Sequence, residues 1–213
     1  GVCYDAVTGY ANQLIFDDEG KIIFDPDYLA GSNSSFDDRW SYQQKNNMLA
    51  AVNDFYEASK FHDWFVSTQS EQQQAIASFK QVCSLDYTWF DSYYGKNDKL
   101  SSRIILSFMI GNSNNGISLK RKDGTLLLTP VLGSLSQNNG SVRFNGDMNL
   151  IVHEFSHPYC NPLIDAHWTS IENKANEIYE KVGSIMASNA YGIVSMMYET
   201  LVRASAIRYM MSH

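Results

Sequence analysis

Three observations predict an α+β chain. Helical hydrophobic spacing fills most of the first hundred residues. β-Branched and apolar runs with a strong hairpin signal follow between residues 102 and 133. Helical spacing then returns from residue 147 to the end.

The elements can be justified in order. Tyr4–Phe16 (YDAVTGYANQLIF) can form a helix, and the turn-rich stretch from Asp17 to Asp38 reads as a surface excursion. From Trp40, apolar side chains at Met48, Leu49, Val52, Phe55, Tyr56 and Phe61 fall at helical spacing. Ser70–Cys83 repeats the pattern, with Ser70 placed as an N-cap. Asp86–Gly95 forms a third, shorter helix closed by its glycine. The period then changes. Ser102–Gly111 is β-branched and apolar, Asn112–Gly116 is a turn, and Ile117–Gly133 divides into two strands at Asp123-Gly124. Pro130 is expected on an edge strand, because proline cannot donate to a ladder. A polar loop leads to Asp147, the expected N-cap of the next helix. Amphipathic Ser170–Ser188 and nearly all-apolar Tyr191–Met211 are expected to be two further helices. With no internal repeat or linker, the chain reads as a single domain over residues 1–213. It is mainly helical to residue 100, with a sheet and site helices over 101–213.

Composition narrows the function. Sixteen basic against 23 acidic residues give a net charge of −7, and the densest basic run, LKRKDG, is a hairpin turn, which argues against a nucleic-acid partner. No stretch reaches the length of a transmembrane helix. Cys3, Cys83 and Cys160 form neither a zinc-ribbon spacing nor a disulfide framework, and read as free thiols. The opening GVCYDAVTGYANQL reads as the interior of a longer chain, so a leader or earlier segment is expected before it.

The chemistry gathers in IVHEFSHPYCNPLID, Ile151 to Asp165. His153 and His157 stand four apart, on one face of a helix, where two imidazoles can reach one metal ion. Neutral imidazoles suit Zn²⁺. Glu154 follows the first ligand and is placed to take a proton from a metal-activated water. Unpartnered, these polar groups would be costly in so apolar a helix, and a metal resolves that cost. Pro158 directly follows His157, so a kink or helix end is expected there.

A catalytic zinc needs a third protein ligand and one open position. Leu163 excludes a histidine six residues past His157. His167 lies ten past it. Glu177 has a familiar spacing but points about 120° from the apolar face of Ile171, Ala175, Ile178, Val182 and Ile185, at about 100° per residue. Glu199, in the apolar run IVSMMYETLVRASAI, is favoured, with Arg203 at i+4 orienting it or, alternatively, simply neutralising it. Tyr191, Tyr198, Tyr209 and His167 are candidates for stabilising an oxyanion.

The blocks YDAVTGYANQL, FYEASKFHDWF, WFDSYYG, HEFSHPYCNPLID and YETLVRASAIRY together resemble a bacterial family, domain-of-unknown-function family 4932. The resemblance covers nearly the whole chain and keeps the order of blocks. Members look like secreted, zincin-like metallopeptidases of gluzincin type, with a downstream E-x-x-V-R-A helix. It implies Zn²⁺ held by His153, His157 and Glu199, Glu154 as base, a peptide or protein substrate, and an extracytoplasmic setting. Pro158 departs from the family pattern, in which a small residue follows the second histidine. Substrate is expected to lie extended on the strand between Gly124 and Gly133. The alternative is a zincin-like binding or structural module without turnover.

Overall fold

The computed structural model describes residues 4–28, 40–188 and 191–213. Helices and small sheets alternate in the α+β order predicted. The described residues form two compact units. One comprises Cys83–Asn97 and Asp147–His213; the other comprises the residues up to Val82 together with Asp98–Gly146.

The second of these units carries the sheets. Helix α1 (Tyr4–Ala11) is shorter than predicted, because Leu14–Phe16 leaves it to form strand β1 against β2 (Ile22–Phe24). Asp17 closes that hairpin, its carboxylate accepting from the backbone N–H groups of Glu19 and Lys21. Helix α2 (Tyr42–Ala58) opens on a capping box between Ser41 and Gln44. Asn53 of α2 grips Ile22, its side chain accepting from the backbone N–H at 2.9 Å and donating to the carbonyl at 2.8 Å. The run predicted as one helix breaks at Lys60, which takes a left-handed φ of 51° before α3 (Phe61–Ser67). Helix α4 (Gln69–Val82) begins before the predicted N-cap, so Ser70 lies inside its first turn and does not cap it.

The main sheet is mixed. Strand β6 (Leu126–Leu132) pairs antiparallel with β5 (Asn114–Lys120), joined through Asp123-Gly124 as predicted, with Gly124 at a φ of 84°. On its other side β6 pairs parallel with β3 (Leu100–Ser102) and β4 (Ile105–Leu106). The apolar run after Ser102 is therefore two short strands rather than one. Two expectations fall here. Pro130 is not on an edge, because β6 is the central strand. It is tolerated because β3 pairing stops at Leu128 and β4 pairing starts at Val131, so the missing N–H lies opposite an interruption. Nor can the strand between Gly124 and Gly133 receive an extended substrate, since both its edges are already paired. Continuous burial from Leu127 to Leu132 fits a strand covered on both faces.

The stretch read as a polar loop holds a hairpin, β7 (Leu135–Asn138) with β8 (Ser141–Phe144). Asn139 and Gly140 form its two-residue turn, with φ of 49° and 77°. Helix α4 covers this hairpin. Gln74 and Ser78 accept from the backbone N–H groups of Val142 and Phe144, at 2.9 and 3.0 Å.

The other unit is helical. Helix α5 (Tyr87–Tyr94) ends at Gly95 as predicted, and Asp86, read as its first residue, is its N-cap. Helix α6 (Met148–Ser188) continues through Pro158 and Pro162, so it does not end at His157 and no separate helix starts at Ser170. A proline in a helix interior costs about 3 kcal/mol. Burial of Ile151, Val152, Phe155, Pro158, Cys160 and Ile164 around it offsets that cost. Phe90 of α5 meets Phe155 at 4.8 Å between ring centroids and Tyr209 at 5.5 Å. Tyr209 belongs to α7 (Ile193–Ser212), which buries one stripe, Met196, Val202, Ser205, Ala206 and Tyr209, rather than its whole circumference.

Asp147 caps α6 as predicted, its carboxylate accepting from the Leu150 N–H at 2.8 Å. Asp147→Ala is expected to destabilise the protein by about 1 kcal/mol. The check is a lower urea midpoint with an unchanged slope; an unmoved midpoint would remove the cap from the account. Among the described residues no helix is long and apolar enough to cross a membrane.

Candidate metal centre

The centre is built from α6 and α7. One turn of α6 separates His153 from His157, and their Nε2 atoms stand 3.2 Å apart. Glu199 of α7 completes the group: Oε2 is 3.5 Å from His153 Nε2, and Oε1 is 3.6 Å from His157 Nε2. These three side chains are 13–17% exposed, so the group is sheltered without being sealed. Among the described residues they are the set of three or more candidate ligands whose atoms lie within 4.8 Å of one another.

The spacing is compatible with a small divalent ion. Zinc binds imidazole nitrogen and carboxylate oxygen at about 2.0–2.2 Å in a tetrahedron, whose edges are then about 3.3–3.6 Å. The two imidazole nitrogens, 3.2 Å apart, are close to such an edge. Glu199 turns a different oxygen to each histidine, at 3.5 and 3.6 Å, and with one ligand atom taken from each residue all three lie within 4.8 Å of one another. The donor chemistry fits as well: two imidazoles and a carboxylate make a borderline set that leaves a fourth position for water.

Other predicted site residues sort clearly. Glu154 is 6% exposed and outside the converging group. Glu177 sits twenty residues past His157 on the same unbroken helix, about 30 Å along its axis, and pairs with Lys174 at 2.7 Å in solvent. It is not a ligand. His167 is about 15 Å along that axis from His157, exposed. Tyr209 is buried, with its hydroxyl accepting from the Asp86 N–H at 2.7 Å. Tyr198 donates to the Asp165 carboxylate. Tyr191 remains. Burial first, then the charges of Glu199 and Glu154, raise its phenol pKa, with Arg203 opposing. Arg203 lies 3.4 Å from Glu199 Oε2 and is 66% exposed, a loose partner to that carboxylate.

Two groups behind the centre were not predicted as partners. Asn161 Oδ1 lies 3.2 Å from His157 Nδ1. The free thiol of Cys160 is fully buried, 3.4 Å from the Tyr94 hydroxyl and 3.7 Å from Ser205 Oγ. Burial raises the pKa of this thiol. The i+4 step from His157 to Asn161 was readable in the sequence; the Tyr94 and Ser205 contacts, far along the chain, were not. Cys83 is also a free thiol, and Cys3 lies outside the described residues.

Over residues 37–212 the chain matches the family described as Domain of unknown function (DUF4932). It belongs to that family. The comparisons found no matching curated protein and no matching solved structure. The region shared with DUF4932 contains His153, His157 and Glu199.

In this DUF4932 chain, burial and then the neighbouring His157 and Arg203 charges push the His153 pKa from 6.5 to about 4. Between those values the unfolded chain holds the extra proton and the folded chain does not, so stability rises with pH across the window. Metal-free protein is therefore expected to melt at progressively lower temperature as pH falls from about 6.5 to about 4. Thermal scans of wild type and His153→Gln isolate this group. Parallel pH dependences in the two proteins would refute the assignment.

Proposed function

We propose that the protein is a zinc-dependent peptidase of zincin-like, gluzincin type. The convergence of His153, His157 and Glu199 at zinc-compatible spacing carries the reading. An H-E-x-x-H helix and a glutamate from the next helix support the finer zincin-like description. Zinc at this site would acidify a water and polarise a substrate carbonyl.

The chain's own residues supply the rest. His153 is neutral at physiological pH, since its pKa is about 4, and so offers a lone pair. Glu199 brings negative charge that offsets part of the ion's. Glu154, next after His153, serves as the general base and passes the proton to the leaving amine. Tyr191, whose raised pKa keeps its O–H protonated, donates a hydrogen bond to the developing oxyanion. Tyr191→Phe is expected to lower kcat with KM and zinc content little changed; an unaltered kcat would pass that role to another donor.

The test is the zinc content of purified wild-type protein by elemental analysis, with digestion of a peptide library before and after chelation. Stoichiometric zinc with chelator-sensitive cleavage supports the proposal. No zinc after reconstitution refutes it. Zinc without cleavage of any peptide would instead make the chain a metal-bearing binding module.

A further inference from the structure

We propose that Asn161 fixes the tautomer of His157 and so keeps its Nε2 lone pair turned toward the metal position. The inference rests on the metal reading of the centre and adds a positioning residue to it.

Residues 153, 157 and 161 follow one another at intervals of four on α6, so their side chains form one row. Asn161 Oδ1 stands 3.2 Å from His157 Nδ1. A carbonyl oxygen only accepts, so this contact requires the imidazole proton on Nδ1. The lone pair is then on Nε2, the atom that faces His153 at 3.2 Å and Glu199 at 3.6 Å. The opposite amide orientation would donate to Nδ1 and place a proton on Nε2, directed into the ligand group. In the amide orientation the structure shows, the asparagine favours His157 as a ligand over His157 as a hydrogen-bond donor into the group. His153 receives no comparable contact at Nδ1 among the described residues, so this control falls on one imidazole of the two.

The unbroken course of α6 is what makes the contact possible. Asn161 lies beyond Pro158 and immediately before Pro162. A helix that ended at Pro158 would not keep a side chain four residues on in register with His157.

Asparagine and aspartate have the same shape, but ionised aspartate can only accept, and this separates positioning from packing. The full chain is compared as wild type, Asn161→Ala and Asn161→Asp. Long-range proton–nitrogen correlation spectra of the metal-free protein report the imidazole tautomers. Competition with a chromogenic chelator reports zinc affinity. In wild type the His157 proton is expected on Nδ1. Asn161→Ala is expected to mix the tautomers and weaken zinc binding about 10–100-fold. Asn161→Asp is expected to keep the Nδ1–H form and at least wild-type affinity. Equal loss of affinity in both variants, or an unchanged tautomer in Asn161→Ala, would overturn the proposal. Absence of zinc from wild type would remove the metal reading, while the spectra of the metal-free protein would still decide what Asn161 does.

Discussion

Glu154→Gln is expected to retain its full complement of zinc and to lose peptide hydrolysis, with kcat/KM down about 10²–10⁴-fold. Glutamine preserves the shape of the side chain and removes its ability to take a proton. Glu154 is 6% exposed, so a smaller replacement would leave a cavity and confuse loss of chemistry with loss of packing. It stands outside the three converging ligands, which is why metal content should not change. Elemental analysis and the digestion assay on one preparation give both readouts. A rate equal to wild type would remove Glu154 from the proton transfer. Loss of zinc would place its carboxylate among the ligands.

Glu199→Ala is expected to weaken zinc binding by more than the roughly 10–100-fold that loss of an outer partner costs. Its two oxygens face both histidines, at 3.5 and 3.6 Å, so one truncation removes a ligand and the negative charge together. Two imidazoles would remain, with the Arg203 guanidinium, i+4 from the removed carboxylate, opposing any cation. Glu199→Gln keeps the reach of the side chain without its charge and should fall between wild type and alanine. Alanine is the better helix former, so α7 should keep its circular dichroism. Zinc retained undiminished by Glu199→Ala would exclude this third ligand.

What was legible in the sequence was local. Gly95 closes α5 because a helix stop needs only its own neighbours. Asp123-Gly124 announces the β5–β6 hairpin for the same reason. His153 and His157 were legible as a pair because one helical turn fixes their relation. Glu199 needed a weaker argument, that a carboxylate in so apolar a helix requires a cation. Errors arose where tertiary structure outweighed a local rule. Pro158 was a candidate helix end, yet α6 continues past it, with Phe155 and Cys160 buried on either side. Pro130 should have marked an edge, yet its missing donor falls opposite a gap between two short strands. The β7–β8 hairpin is a different kind of error: Asn139-Gly140 is a strong turn signal, hidden among polar neighbours.

The Cys160 thiol gives the unit that carries His153, His157 and Glu199 a chemical clock. Alkylating reagents attack thiolate, and a buried thiol with a raised pKa offers almost none. Labelling must wait until the packing among α5, α6 and α7 parts, whereas partly exposed Cys83 can react earlier. With reagent in the regime where reclosing outpaces modification, the slowing relative to unfolded chain measures the free energy of opening. An ion bridging α6 and α7 would have to be released before they separate. Added zinc should then stretch the Cys160 half-life in proportion to 1 + [Zn²⁺]/Kd, so that a residue taking no part in ligation reports how tightly the ligands hold.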